Sequence, residues 1–134
     1  MNEDDLKKRT KQFALKILKL IAIIQSTIEG RVIANQLTKS GTSVGANYRA
    51  ACKARSRVEF IAKIGVVEEE ADECIYWLEL VMEAKLSKKE LVEPLLKEAG
   101  EIVAIMASSR KSATKNRTLE RSNPANGWTI GNRK

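Results

Sequence analysis

The sequence predicts an all-α protein, an antiparallel up-down-up-down four-helix bundle, and three observations carry that expectation. Apolar residues recur at three- and four-residue steps through four long segments, the spacing that gathers them on one face of a helix. The connections between these segments are short, which makes consecutive helices antiparallel neighbours. Seven Gly and two Pro in 134 residues leave little punctuation for a turn-rich β fold, and no segment reads as a strand. A chain of this length has room for one domain or for one protomer of an assembly.

In the first segment Phe13, Ile17, Leu20, Ile21, Ile24 and Ile28 share a face, so the first helix is expected over about residues 4 to 26. After a break around Thr27 to Gly30, the positions Ile33, Leu37, Ser40, Val44, Asn47, Ala51 and Ala54 keep the alternating four-three step of a bundle seam. The second helix is expected over about residues 30 to 54. Ser56-Arg57-Val58-Glu59 fits a capping box, in which the serine oxygen accepts the amide of the third helical residue and the glutamate reaches back to the serine amide. The third helix starts there, with a seam expected along Ile61, Ile64, Glu68, Ala71, Ile75, Leu78 and Met82, and ends near Lys85. A second box, Ser87-Lys88-Lys89-Glu90, flanked by Leu86 and Leu91 as a hydrophobic staple, opens the fourth helix.

Pro94 removes one backbone hydrogen bond from a helix interior at a cost of roughly 3 kcal/mol, so this helix either kinks there or begins there. Leu95, Leu96, Ala99, Ile102, Val103 and Met106 restore the apolar face as far as about Arg110. From Ser112 the periodicity is lost and Ser, Asn, Arg and Lys dominate. The expected organisation is a bundle over 1–111 and a basic, largely disordered tail over 112–134.

The chain has no His, which removes Ser-His-Asp and Cys-His catalysis, His-ligated zinc and the Glu-x-x-His motif of di-iron bundles. Cys52 and Cys74 are too few and wrongly spaced for a zinc ribbon or a C-x-x-C redox site, and read as small buried hydrophobes. With a turn near residue 55 they are offset along the helices by roughly 22 Å, too far to pair. The acidic run Glu68 to Glu73 lacks the His that carboxylate metal sites in bundles draw on. Gly41-Thr42-Ser43-Val44-Gly45 lacks the Lys-Ser/Thr and the preceding strand of a P-loop and reads as a close-packing patch. No metal and no cofactor are therefore expected, and most familiar catalytic chemistries are excluded. The N-terminus is acidic where a signal peptide is basic, and the longest apolar stretch, Leu15 to Ile24, is broken by Lys16 and Lys19. A cytoplasmic protein without a membrane span is the expectation.

Charge supplies the functional lead. Lys and Arg number 24 against 17 Asp and Glu, a net +7, and the excess lies in blocks: +6 over 31–63, −7 over 64–83 and +6 over 102–134. Arg49, Lys53 and Arg57 recur every four residues, with Arg55 and Lys63 nearby and Glu59 as the local counter-charge. These five are the candidate RNA- or DNA-binding residues; the competing reading pairs them with the acidic half of the third helix. Tyr48 is the one aromatic in that block, so recognition is expected to be of backbone charge and shape, not base stacking. Glu68 falls on the expected seam, and reflection about the turn near residue 55 sets it level with Ser43 and one turn from Ser40 and Asn47. Those four are expected to form a buried polar layer, since a lone carboxylate is costly to bury. Leu15, Leu18, Ala22 and Ile105 widen the apolar faces of the first and fourth helices beyond one stripe, the surplus that an oligomer interface uses.

The run from Val32 to Ala51, above all Gln36-Leu37 to Tyr48-Arg49, followed by Arg55 to Lys63 and Glu68 to Leu80, resembles the four-helix-bundle family that includes the bacterial 23S rRNA intervening-sequence proteins. The resemblance covers about residues 7 to 115. It implies a left-handed bundle assembling as a homopentameric barrel, with no catalytic motif. It also implies a nucleic-acid-associated role. A related group serves retroelements as partners of a reverse transcriptase, so an oligomeric scaffold that binds a protein partner without touching nucleic acid is the alternative.

Overall fold

The computed structural model describes residues 1–122. Among the described residues there are four helices and no strand: α1 Glu3–Ile24, α2 Ile28–Cys52, α3 Arg57–Glu83 and α4 Lys89–Ser122. Consecutive helices pack on one another, so that α3 lies between α2 and α4 and α1 lies on α2; α1 also meets α4, though less closely than it meets α2. No helix is long and apolar enough to cross a membrane among these residues.

α1 opens with a reciprocal cap. Asn2 Oδ1 accepts the Asp5 amide at 2.9 Å and Asp5 Oδ2 accepts the Asn2 amide at 3.1 Å, while Glu3, Asp4 and Asp5 face the positive end of the helix dipole. Thr10, Phe13, Ile17, Leu20 and Ile24 form its buried face; Ile28, expected there, is exposed as the first residue of α2. Thr27 caps α2 by accepting the Gly30 amide at 3.0 Å. A Cβ on Gly30 would collide with the carbonyl oxygen of Ile24, so the α1–α2 turn admits no side chain there. Further along, a Cβ on Gly41 would stand 2.9 Å from Ile17 Cγ2, and one on Gly45 3.4 Å from Thr10 Oγ1. The small-residue run is thus where α1 backs onto α2.

Ser56 caps α3 by accepting the Glu59 amide at 3.1 Å, but the Glu59 carboxylate takes the Arg55 amide at 3.4 Å and not that of Ser56. The buried stripe of α3 contains Phe60, Ile64, Val67, Ala71, Cys74, Leu78 and Val81. This corrects the expected seam, which shares Ile64, Ala71 and Leu78 but carries Ile61, Glu68, Ile75 and Met82 where the interior has their N-terminal neighbours. Both phases obey the helical step. The observed one keeps every carboxylate out of the interior, which removes a desolvation cost that the other would incur.

α3 ends on a left-handed residue, Lys85, with φ 58°. The Leu86 amide reaches the Val81 carbonyl at 2.9 Å and the Lys85 amide the Met82 carbonyl at 3.1 Å, the paired bonds of a Schellman motif. The second capping box does not form: the Ser87 Oγ is buried without a hydrogen-bond partner among the described residues, and α4 starts at Lys89. It runs through Pro94, which excludes a start at that residue. It also continues past residue 111 to Ser122 with Ala113 fully buried. Residues 112–122, expected in a disordered tail, are therefore helix, because tertiary packing compensates for weak local propensity. The rest of that tail, 123–134, lies outside the described residues. Both cysteines are buried and neither is in a disulfide.

Candidate nucleic-acid interface

The α2–α3 turn is built by burying small residues and exposing long cationic ones. The Lys53 amide donates to the Ala50 carbonyl at 3.1 Å and the Ala54 amide to that of Ala51 at 3.0 Å. Ala51, Cys52 and Ala54 are buried, and Ser56 starts the next helix. The connection between the helices is therefore short, and Arg49, Lys53 and Arg55 stand exposed around it. Lys63 is half-buried one helix further on. Arg57 corrects the expectation: it is 3% exposed, because the four-residue step from Lys53 crosses the helix boundary, where the α-helical spacing no longer applies. An interior guanidinium cannot present its charge to a polyanion. Tyr48 is buried as well, and burial together with its hydrogen bond to Cys52 pushes its hydroxyl pKa well up.

Other cations among the described residues are paired. Arg9 on α1 meets Glu98 at 2.7 Å and Glu101 at 2.8 Å on α4, and Arg110 meets Glu68 at 2.8 Å. Lys7 pairs with Glu3 and Lys89 with Glu93 within single turns. Among the described residues, Arg49, Lys53, Arg55 and Lys63 make no ion pair. Among the described residues, none of these four therefore pairs with the acidic half of α3.

The expected polar layer is not brought together either. Glu68 sits on the flank of α3 against Arg110, in a groove with Gly65, Glu69, Asp72 and Val103. Asn47 Nδ2 donates to the Ser43 carbonyl at 2.9 Å within its own helix. Ser40 alone is buried, donating to the Gln36 carbonyl at 3.1 Å and accepting from the Cys74 thiol at 3.4 Å. Burial pushes the Cys74 thiol up to about 12, so it stays protonated and donates. The polar link between α2 and α3 is therefore Ser40 to Cys74. Along the acidic run, burial and then the charges of Glu73 and Glu69 raise the pKa of Glu70. No group of three or more Cys, Asp or Glu among the described residues is placed to hold a metal ion.

Leu15, Leu18 and Ala22 do come together, lining an exposed groove on α1 with Gln12, Lys16 and Lys19. Ile105 does not join them; it packs against the core from α4. The sequence reading missed a second set of cations, Lys111, Lys115, Arg117 and Arg121, which the continuation of α4 orders. Their helical spacing was present in the sequence, hidden by the loss of apolar periodicity around them.

Residues 2–108 match the model of the 23S rRNA-intervening sequence protein family. Among solved structures, the chain is similar to a protein of unknown function from the S23 ribosomal protein family of Bacteroides thetaiotaomicron, with 33% identity and a TM-score of 0.76 over 83% of this chain and 99% of that one. No curated protein matches it in sequence.

Proposed function

The chain belongs to the 23S rRNA-intervening sequence protein family, and from that premise we propose that it is a non-enzymatic, nucleic-acid-associated bundle protein that grips phosphate backbone through the α2–α3 turn. The observation that carries this reading is that Arg49, Lys53 and Arg55 are exposed and make no ion pair among the described residues. Arg9 and Arg110, by contrast, are engaged by carboxylates. Unneutralised cations at a rigid helix end attract a polyanion and release its counterions on contact. The short turns and the meeting of Gly41 with Ile17 and Gly45 with Thr10 support an antiparallel, up-down-up-down path. In this reading the protein works in the cytoplasm as a homo-oligomer, with five protomers as the family resemblance implies, and RNA or DNA is its partner.

The test is a titration of a labelled RNA stem by fluorescence anisotropy at several salt concentrations. The logarithm of affinity should fall linearly with the logarithm of salt, and Arg49→Ala and Lys53→Ala should each lower the slope by about one. Absence of binding at low salt would overturn the reading. One observation favours a scaffold that binds a protein partner, such as a reverse transcriptase: Leu15, Leu18 and Ile23 are exposed along α1. That alternative gains if substitutions on α1 abolish partner capture while nucleic acid is never bound.

A further inference from the structure

We propose that α4 beyond residue 108 and the α2–α3 turn form one two-sided basic end that takes base-paired nucleic acid, each side holding one phosphate strand. The inference rests on the reading above and adds to it a second wall and a class of ligand. The family match stops at residue 108, whereas α4 continues to Ser122. Its charge reverses along its length, from −2 over residues 89–101 to +4 over residues 102–122.

Two anchors fix where that basic half lies. α4 leaves α3 through the turn at 84–88, and Arg110 returns to Glu68 at 2.8 Å, so α4 runs back along α3. From Arg110 the twelve residues to Ser122 extend about 18 Å, and the eleven from Glu68 back to Arg57 about 16 Å. The last turns of α4 therefore reach the end of the molecule that carries Lys53 and Arg55. Arg110, Arg117 and Arg121 follow a seven-four step and share the flank that faces α3, while Lys111 and Lys115, four apart, share a more outward one. Lys111, Lys115 and Arg121 are exposed, Arg117 half-buried, and none makes an ion pair among the described residues. Cations near a helix C-terminus also complement its dipole, but that effect reaches only the last turn, and Lys111 and Lys115 precede it.

The ligand class follows from geometry and from what the surface lacks. α2 and α4 both pack on α3, so at interaxial distances of about 8–10 Å the axes of α2 and α4 lie no more than about 20 Å apart. That separation suits the two phosphate strands bordering a duplex groove, about 12 Å wide in the B-form major groove. Single strands are held by stacking on exposed aromatics. Among the described residues the aromatics are five: Phe13, Tyr48 and Phe60 are buried, and the packed pair Tyr76 and Trp77 lies in the acidic half of α3, some 30 Å from the turn at about 1.5 Å per residue.

The experiment measures binding of the full chain to an RNA duplex, a DNA duplex and the corresponding single strands by fluorescence anisotropy. Duplex should bind about tenfold tighter than single strand. The combined variant Lys111→Ala, Lys115→Ala and Arg121→Ala should weaken duplex binding about tenfold or more and lower the salt slope by about two to three. The charge-conserving set Lys111→Arg, Lys115→Arg and Arg121→Lys should restore it, with circular dichroism checking that each variant is folded. If the alanine set binds like wild type while Arg49→Ala and Lys53→Ala weaken binding, the second wall is overturned and the α2–α3 reading stands. Single strands binding as tightly as duplexes would overturn the ligand class, and no binding by wild type would overturn both readings.

Discussion

Arg9 gathers two carboxylates on one guanidinium: it meets Glu98 through two nitrogens at 2.7 Å and Glu101 at 2.8 Å. Glu98 consequently has a pKa below its ordinary value of 4.5, because the hydrogen bond to Arg9 outweighs the opposing effect of burial. A lowered carboxylate pKa contributes stability that is complete above the ordinary value and lost as pH falls through the folded one. Arg9→Ala should therefore cost about 1 kcal/mol near neutral pH, the upper range for a partly exposed pair. The gap between wild type and variant in urea unfolding should shrink towards zero as the pH is taken below the folded pKa of Glu98. An undiminished gap in acid would assign the loss to packing of the arginine stem. Glu68 shows the same principle from the other side. It escapes the interior by rotating to the flank of α3, where Arg110 receives it.

At the scale of the element, the ends of the helices are where local chemistry and tertiary structure compete. Asn2 and Asp5 make a reciprocal cap, Thr27 and Ser56 each accept one amide, and Ser87 accepts none. The α3–α4 reversal is governed instead by the Schellman bonds of Leu86 and Lys85 to Val81 and Met82, which place Leu86 against the core and leave no room for a box at Ser87. That solution holds Lys85 at φ 58°, a conformation costing a side chain roughly 1–2 kcal/mol and glycine little. Lys85→Gly should accordingly stabilise the protein by about 1 kcal/mol, read as a raised denaturant midpoint with an unchanged slope. A loss of stability would show that the flexibility glycine adds to the unfolded chain outweighs the relieved strain.

For the whole molecule, the weak contact between α1 and α4 leaves part of α1 open. Leu15 is 43% exposed and Leu18 40% on that one helix, an apolar strip flanked by Lys16 and Lys19. Such a strip is buried when a second copy covers it. Light scattering of the wild type at micromolar concentration and moderate salt should give an oligomer, and Leu15→Glu with Leu18→Glu should return the mass to that of one chain without loss of helicity. A wild-type monomer would remove both the interface and the pentamer from the proposal. The acidic face of α3 and the basic end formed by α2 and α4 lie on the same protomer, so assembly also decides which of the two stays open to solvent.

The sequence by itself determined the number of helices, their order and the start of α3, because these depend on periodicity and on caps formed by residues a few positions apart. It also determined that Arg49, Lys53 and Arg55 form a basic cluster, since residues in one turn and the loop after it stay together in any fold. Tertiary structure alone decided the phase of α3. Ile61, Glu68, Ile75 and Met82 keep the helical step as well as Phe60, Val67, Cys74 and Val81 do, and only packing against α2 and α4 puts the second set inside. It decided that Arg57 is buried and that Glu68 meets Arg110 across 42 positions of chain, neither of which any local rule specifies. It decided, finally, that α4 persists to Ser122. A polar, serine-rich segment lacks the propensity to stay helical alone, and burial of Ala113 supplies what the local sequence does not.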